Sequence, residues 1–470
     1  MNRNILLVEP SYKTKFPPLG LMKISAYHKA LGDKVTFHKG IVKDMSWESW
    51  DRIYITTLFT FYWKATIDTI NYYKDIVLRG DPSRLYVGGI AATLKSTKLY
   101  EDTGVTNIIR GVLDHSKILD KDNSLIVDKM IPDYSILNYP NHDYNLKDSY
   151  MGYATRGCPN KCKFCGVNTL EPKFIDYHGI KPLIEGIKSK FGEKTHLVLL
   201  DNNVLHSKNL KKIIKDIRDV GFEKGAKLNN KLRRVDFNQG VDARLLTEGK
   251  IKLMSKIAIH PLRIAFDSLK LKKTYEKAVR LAAKHEILNL SNYILYNFND
   301  SPDDFWERLH INIDLNKELG TKIYSFPMKY IPLENEDRNH VSDNWNWYFL
   351  RNVQRILNVV KGSVMPGEDF FYRAFGGSSE KFYQILHMPE RILMYRSREA
   401  GVKEKAWIRQ FKRLTKNQHM KLLEILNKCR NEKKLKEQYI KEKEGKIKAI
   451  LEFYFAEDVS PLPLYQKTVT

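Results

Sequence analysis

Three of the chain's four cysteines fall in Thr155-Arg156-Gly157-Cys158-Pro159-Asn160-Lys161-Cys162-Lys163-Phe164-Cys165-Gly166. Thiols spaced C-x3-C-x2-C on one tight loop converge on a single centre, and soft sulfur ligands select iron–sulfur clusters, zinc or copper. Structural zinc sites and most cubane clusters are closed by four ligands. Here the fourth cysteine, Cys429, lies far off near the C-terminus. Three thiols without a nearby fourth point to a cubane with one iron open to another molecule. The alternatives are a zinc site completed by His178, or three ordinary thiols. Clustered cysteines in a chain with so few argue against a disulfide scaffold and for a reducing compartment.

This spacing, with Phe164 directly before the last cysteine, resembles the cluster loop of the radical S-adenosylmethionine (SAM) superfamily. The resemblance implies that Cys158, Cys162 and Cys165 hold three irons of a [4Fe-4S] cluster. It implies that SAM chelates the fourth iron through its amino and carboxylate groups. Reductive cleavage of SAM would then give methionine and a 5′-deoxyadenosyl radical, with flavodoxin or ferredoxin as reductant. In such enzymes the cofactor carries the hard chemistry, and the protein positions and shields it.

Around that loop the hydrophobic pattern predicts an α/β protein. Residues 1–145 alternate short apolar runs with helical spacing: Ile5–Val8, Val35–Phe37, Arg52–Thr57, Leu85–Gly89 and Asn107–Gly111 as strands, Leu19–Leu31 and Ala65–Val77 as helices. Strands alternating with helices indicate a parallel sheet covered on both faces. The run at the N-terminus is too short for a signal sequence and reads as a first strand. Pro17-Pro18-Leu19-Gly20-Leu21 and Val87-Gly88-Gly89-Ile90 resemble the Rossmann-like, cobalamin-binding-type domain that precedes the cluster loop in one radical SAM group. The base-off cobalamin motif D-x-H-x-x-G is missing from the loop between Glu9 and Gly20. That absence favours an empty domain over a cobalamin-loaded one. His28 is expected as a half-buried helix residue and His38 as a strand-end residue. Residues 120–149, polar with Pro132 and Pro140, are expected as a linker.

Residues 146–332 repeat strand and helix six times, which predicts a partial (β/α)6 barrel, the core that the resemblance also implies. Active residues of such barrels sit at the C-terminal strand ends. After the second strand stands Asp201-Asn202-Asn203, where the family often has Gly-Gly-Glu for the SAM amino group. The third strand ends in Gln239-Gly240-Val241-Asp242-Ala243-Arg244. A guanidinium pairs bidentately with a carboxylate, which makes Arg244 the candidate for the SAM carboxylate. Ala265-Phe266-Asp267-Ser268 resembles the ribose-contacting G-[IV]-E-S segment, with Asp267 in place of glutamate. Asn297-Phe298-Asn299-Asp300-Ser301-Pro302 resembles the segment near the adenine. The bland reading of Asp267-Ser268 and Ser301-Pro302-Asp303 is helix entry.

Residues 333–470 are expected to form a basic helical domain, with Cys429 on one apolar face beside Leu422, Ile425 and Leu426. Trp407-Ile408-Arg409-Gln410-Phe411-Lys412-Arg413 fits either nucleic-acid contact or a helix packing its rings inward. Lys and Arg number 79 against 55 Asp and Glu, a formal charge of +24. Such a surplus attracts polyanions, although a lysine-rich solvated surface explains it as well. No apolar run approaches the roughly 20 residues that span a bilayer, so a cytoplasmic protein is expected. Three functions follow: a radical SAM enzyme acting on RNA or a nucleotide, one acting on a peptide or small metabolite, or a non-catalytic metal-stabilised nucleic-acid binder.

Overall fold

The five apolar runs of the first third pair as one parallel sheet in the computed structural model, which describes residues 2–43, 49–395 and 401–455. Its strands are β1 (Asn4–Glu9), β2 (Lys34–Lys39), β3 (Arg52–Thr57), β4 (Leu85–Gly89) and β5 (Asn107–Ile109), in the order β2-β1-β3-β4-β5. Register is fixed by pairs such as Ile5 with Val35 and with Arg52, and Val87 with Ile108. Central β1 is buried from Ile5 to Glu9, as a strand covered on both faces requires. The helix Leu19–Ala30 follows it, and Trp63–Asn71 follows β3 and continues as a π-helical turn, Tyr72–Val77. Leu6, Ile53, Trp63, Ile70 and Val87 share a core there.

Two expectations for this region change. The stretch 120–149 is a docked strap and not an open linker. Val127, Tyr134, Ile136, Leu137 and Tyr144 are buried within it. Asp133 accepts from Ser25 Oγ at 2.6 Å, and the Tyr144 hydroxyl donates to Glu9 at 2.5 Å. Its polar residues face ion-pair partners, Asp120 meeting Arg3 and Arg52. His28, expected to be half-buried, is fully enclosed between Asp33 and Tyr54. Burial holds its imidazole down at about 4, against the pull of Asp33.

The central strands are β6 (Ser149–Gly152), β7 (His196–Leu199), a small antiparallel ribbon of β8 (Lys227–Leu228) and β9 (Lys231–Leu232), then β10 (Arg234–Phe237), β11 (Leu262–Arg263), β12 (Asn289–Tyr296) and β13 (Lys322–Lys329). They form two three-stranded sheets, β10-β7-β6 and β11-β12-β13. Parallel bridges from Val235 to Ile259 and from Val241 to Ile264 join β10 to the β11 segment. The ribbon aside, six strands therefore follow one another in chain order with helices between them, the order expected of a partial (β/α)6 core. Regular β11 covers only two residues, but its hydrogen bonding runs on, from Ile264 N–H to the Ser291 carbonyl and from Phe266 N–H to the Tyr293 carbonyl.

The chain divides into two compact units, one of Met1–Tyr293, Glu318–Lys322 and Tyr330–His340, the other of Ile294–Lys317, Ile323–Lys329 and Val341–Thr470. The second is mainly helical. Phe305, Trp345, Phe349, Trp407, Leu422 and Ile447 belong to its core. Trp407 is fully buried and stacks on Phe411 at 4.7 Å, so that helix packs its rings inward. Cys429 ends the helix Lys416–Lys428 and lies partly buried against the same core, as its apolar face predicts. Among the described residues no helix is long and apolar enough to cross a membrane.

Candidate cluster-binding site

β6 delivers the cysteine loop. Beyond Gly152 the chain bends at Ala154 and Thr155, and Arg156 exchanges backbone hydrogen bonds with Ile175 at 3.1 and 2.9 Å. Gly157 then turns with φ +73°, and a Cβ there would sit 2.5 Å from the Lys173 carbonyl oxygen. Only glycine makes that turn without strain. Cys165 N–H closes onto the Cys162 carbonyl at 3.1 Å, and Gly166 opens the short helix Val167–Leu170. Cys158, Cys162 and Cys165 are free, partly exposed thiols, and Phe164 between them is half-buried.

Side chains from neighbouring strand ends fix this loop. Asp201, just past β7, is completely buried and accepts from Ala154 N–H at 3.0 Å, from Thr155 N–H, and from the Thr155 hydroxyl at 2.7 Å. Burial pushes its carboxyl up to about 6 despite those donors. Asn202 donates to Glu171 at 2.9 Å. Glu171 also receives Gly157 N–H at 2.7 Å and the Arg156 guanidinium at 2.6 Å. Arg156 lies over the Tyr153 ring at 3.9 Å and pairs with Asp128 of the strap at 3.0 Å, and Asp128 pairs with Lys23 at 2.8 Å. Asn203 donates to Cys158 Sγ at 3.5 Å.

Past β10, Asp242 accepts from Asn160 of the cysteine loop at 3.0 Å and grips Arg244 through Nε at 2.8 Å and a terminal nitrogen at 2.7 Å. Arg244 is half-exposed. Asp242 raises its pKa, and the charges of Cys162 and Cys158 add to that, so the guanidinium lies within electrostatic reach of the thiols. Burial pushes the Cys162 thiol up, Cys165 and Cys158 push it further, and Arg244 opposes them. Burial likewise raises Cys165, with Cys158 and Asp267 adding to it. Ser268 caps the next turn by accepting from Lys270 N–H at 3.3 Å, the helix-entry role. Gln239 donates to Asn238 at 3.4 Å. Asn297 belongs to the second unit, where it is buried at φ +65° and accepts from Ser342 N–H at 3.0 Å.

Thus the three cysteines, Asn203, Arg244 and Asp267 come within contact or electrostatic reach of one another. The loop-holding residues Glu171, Asp128, Asn160 and Asp242 had no assigned role in the sequence reading. Among the described residues, no three His, Cys, Asp or Glu side chains close around a point fit for one metal ion. The zinc arrangement through His178 is therefore not formed; that imidazole sits 3.9 Å from Asp128. A cubane sets each cysteine on its own iron, so it does not require the three thiols to meet at one point.

The loop of β1 offers no imidazole for cobalamin, since Pro10 to Pro18 lacks histidine. Glu9 at that strand end is buried and closed by Tyr144 and by Lys39 at 2.9 Å.

No family model and no curated protein matches the chain. Among solved structures it is similar to TsrM from Kitasatospora setae, a radical S-adenosylmethionine methyltransferase with cobalamin and a [4Fe-4S] cluster bound. Identity there is 14% and the TM-score 0.49, over 67% of this chain and 74% of that one. It is also similar to OxsB, a cobalamin-dependent S-adenosylmethionine radical enzyme with aqua-cobalamin and S-adenosylmethionine bound. There the identity is 15% and the TM-score 0.47, over 71% of this chain and 54% of that one. At such identities the roles of individual residues do not transfer.

Proposed function

We propose that the chain is a radical SAM enzyme whose Cys158, Cys162 and Cys165 hold a [4Fe-4S] cluster. One observation carries the reading: three free thiols on a single loop at the C-terminal end of the first of six strands in chain order. When bound, the cluster and SAM together supply reductive cleavage of SAM and a 5′-deoxyadenosyl radical. The chain's own residues orient and enclose. Arg244, held by Asp242, offers its guanidinium to the SAM carboxylate. Asn202, Asn203, Gln239, Asp267 and Ser268 stand at neighbouring strand ends as candidate SAM contacts. Asp201 and Glu171 act on the site indirectly, by fixing the backbone of 154–157.

The proposed division of labour is a Rossmann-like domain over 1–145, the radical SAM core over 146–332 and a basic helical domain over 333–470. The missing D-x-H-x-x-G and the closed Glu9 favour an empty Rossmann-like domain over a cobalamin-loaded one. Flavodoxin or ferredoxin is the proposed electron source. RNA or a nucleotide is the proposed substrate class, supported by the formal charge of +24.

Anaerobic reconstitution with iron, sulfide and reductant tests the reading. The wild type should turn brown and cleave SAM, replacing all three loop cysteines with alanine should abolish both, and Cys429→Ala should leave both intact. Stoichiometric zinc without iron after anaerobic purification would overturn it. Mass spectrometry of RNA, peptide and metabolite pools incubated with the loaded enzyme then separates the substrate classes.

A further inference from the structure

We infer that Asn203 sets the reduction potential of the cluster held by the cysteine loop, an inference that rests on the cluster reading above. Asn203 follows β7 and is 2% exposed. Its Nδ2–H donates to Cys158 Sγ at 3.5 Å, while Oδ1 of the same amide is buried with no hydrogen-bond partner. The orientation carries the meaning. Turned over, the amide would set a carbonyl oxygen, an acceptor only, against a sulfur that becomes a thiolate when it binds iron.

The donor is also held in place. The Asn203 carbonyl accepts His206 N–H at 3.1 Å, Asn202 is tied to Glu171, and Asp201 is tied to the backbone of Ala154 and Thr155. The amide therefore reaches the sulfur from an anchored strand end. Hydrogen bonds to cluster sulfurs are among the determinants of cluster potential. An N–H donor draws charge from the sulfur and favours the reduced, more negative cluster. Cys165 takes a donor from the Val167 backbone, which substitution leaves in place. Asn203 is a side chain and can be replaced.

The experiment compares anaerobically reconstituted full-length wild type, Asn203→Leu and Asn203→Asp by iron and sulfide content and by redox titration followed by electron paramagnetic resonance. Asn203→Leu keeps the size and removes the donor. It should lower the ratio of reduced to oxidised cluster at a fixed poise about tenfold, which is about 59 mV for a one-electron couple. Asn203→Asp puts a carboxylate beside the sulfur and should fall further, with iron content near wild type in both. A structural role alone would lower iron content without this ordered shift. A fully loaded Asn203→Leu with the wild-type midpoint would overturn the inference, as would Asn203→Asp at or above it, which also decides the case should the leucine variant not load. A wild type that takes up no iron–sulfur cluster would remove the cluster reading itself, and this inference with it.

Discussion

A carboxyl group sealed from the surface with three donors sets the terms at the scale of single residues. Asp201 is pushed up to about 6 because burial outweighs its hydrogen bonds. Its folded pKa thus lies above the unfolded value, so the native state holds the proton more tightly. Its contribution to stability is greatest in acid and falls as pH rises from about 4 through about 6, by on the order of 3 kcal/mol at most. Urea unfolding between pH 4 and 7 should show that fall in the wild type, and Asp201→Asn, which cannot ionise, should lack it. Gly157→Ala should destabilise the chain by roughly 1–3 kcal/mol, since the left-handed turn admits no Cβ beside the Lys173 carbonyl. Arg244→Lys should weaken SAM binding in calorimetry while leaving the brown chromophore, because an ammonium does not replace a bidentate fork. The cysteines were legible in the sequence because their spacing is local. Asp201 was legible as a strand-end residue but not as the clamp of the loop, since the amide it accepts from lies 47 positions upstream.

Elements show the same division between local and distant signals. Short apolar runs predicted β1, β3 and β4 in place, since a strand buried on both faces is written as continuous hydrophobicity. The strap over 120–149 escaped that reading. Its buried residues Val127, Ile136, Leu137 and Tyr144 follow no period of a helix or strand. What it contributes is Asp128, which joins Lys23 of the helix Leu19–Ala30 to Arg156 at the mouth of the cysteine loop. Burial raises that carboxyl, and Lys23 and Arg156 together more than offset it, holding it below the usual range. Asp128→Ala would leave two buried cations short of a partner and should cost about 3 kcal/mol or more in denaturant unfolding. The stability that Asp128 supplies is present above its unfolded pKa and is lost as pH falls through the lower folded one.

For the whole molecule, the cationic surplus is partly matched by local acids. Lys421 meets Glu442 and Glu444, and Lys428 and Lys436 meet glutamates one turn away. Truncation before Lys403 would remove Trp407, Leu422 and Ile447 from a core, so charge is better tested by substitution. Labelled RNA should bind the intact chain with an affinity that falls steeply as salt rises, because phosphate neutralisation releases counterions. Replacing several exposed lysines of the helices Gly401–Lys412 and Glu432–Lys441 with glutamine should flatten that dependence. No binding at moderate salt would favour a peptide or metabolite substrate. A last consequence follows from how the cysteine loop is anchored. Thr155, Gly157 and Asn160 are tied to Asp201, Glu171 and Asp242 by ordinary hydrogen bonds. Small zinc-folded domains are held together by their metal, whereas these three anchors are bonds between protein groups. None of these bonds needs an iron to form, and the three thiols beside them are partly open. If the proposed cluster is lost to oxygen, the anchors do not go with it, and iron content regained in a second anaerobic reconstitution of the same sample would show that the lifetime of the cofactor is separate from that of the protein.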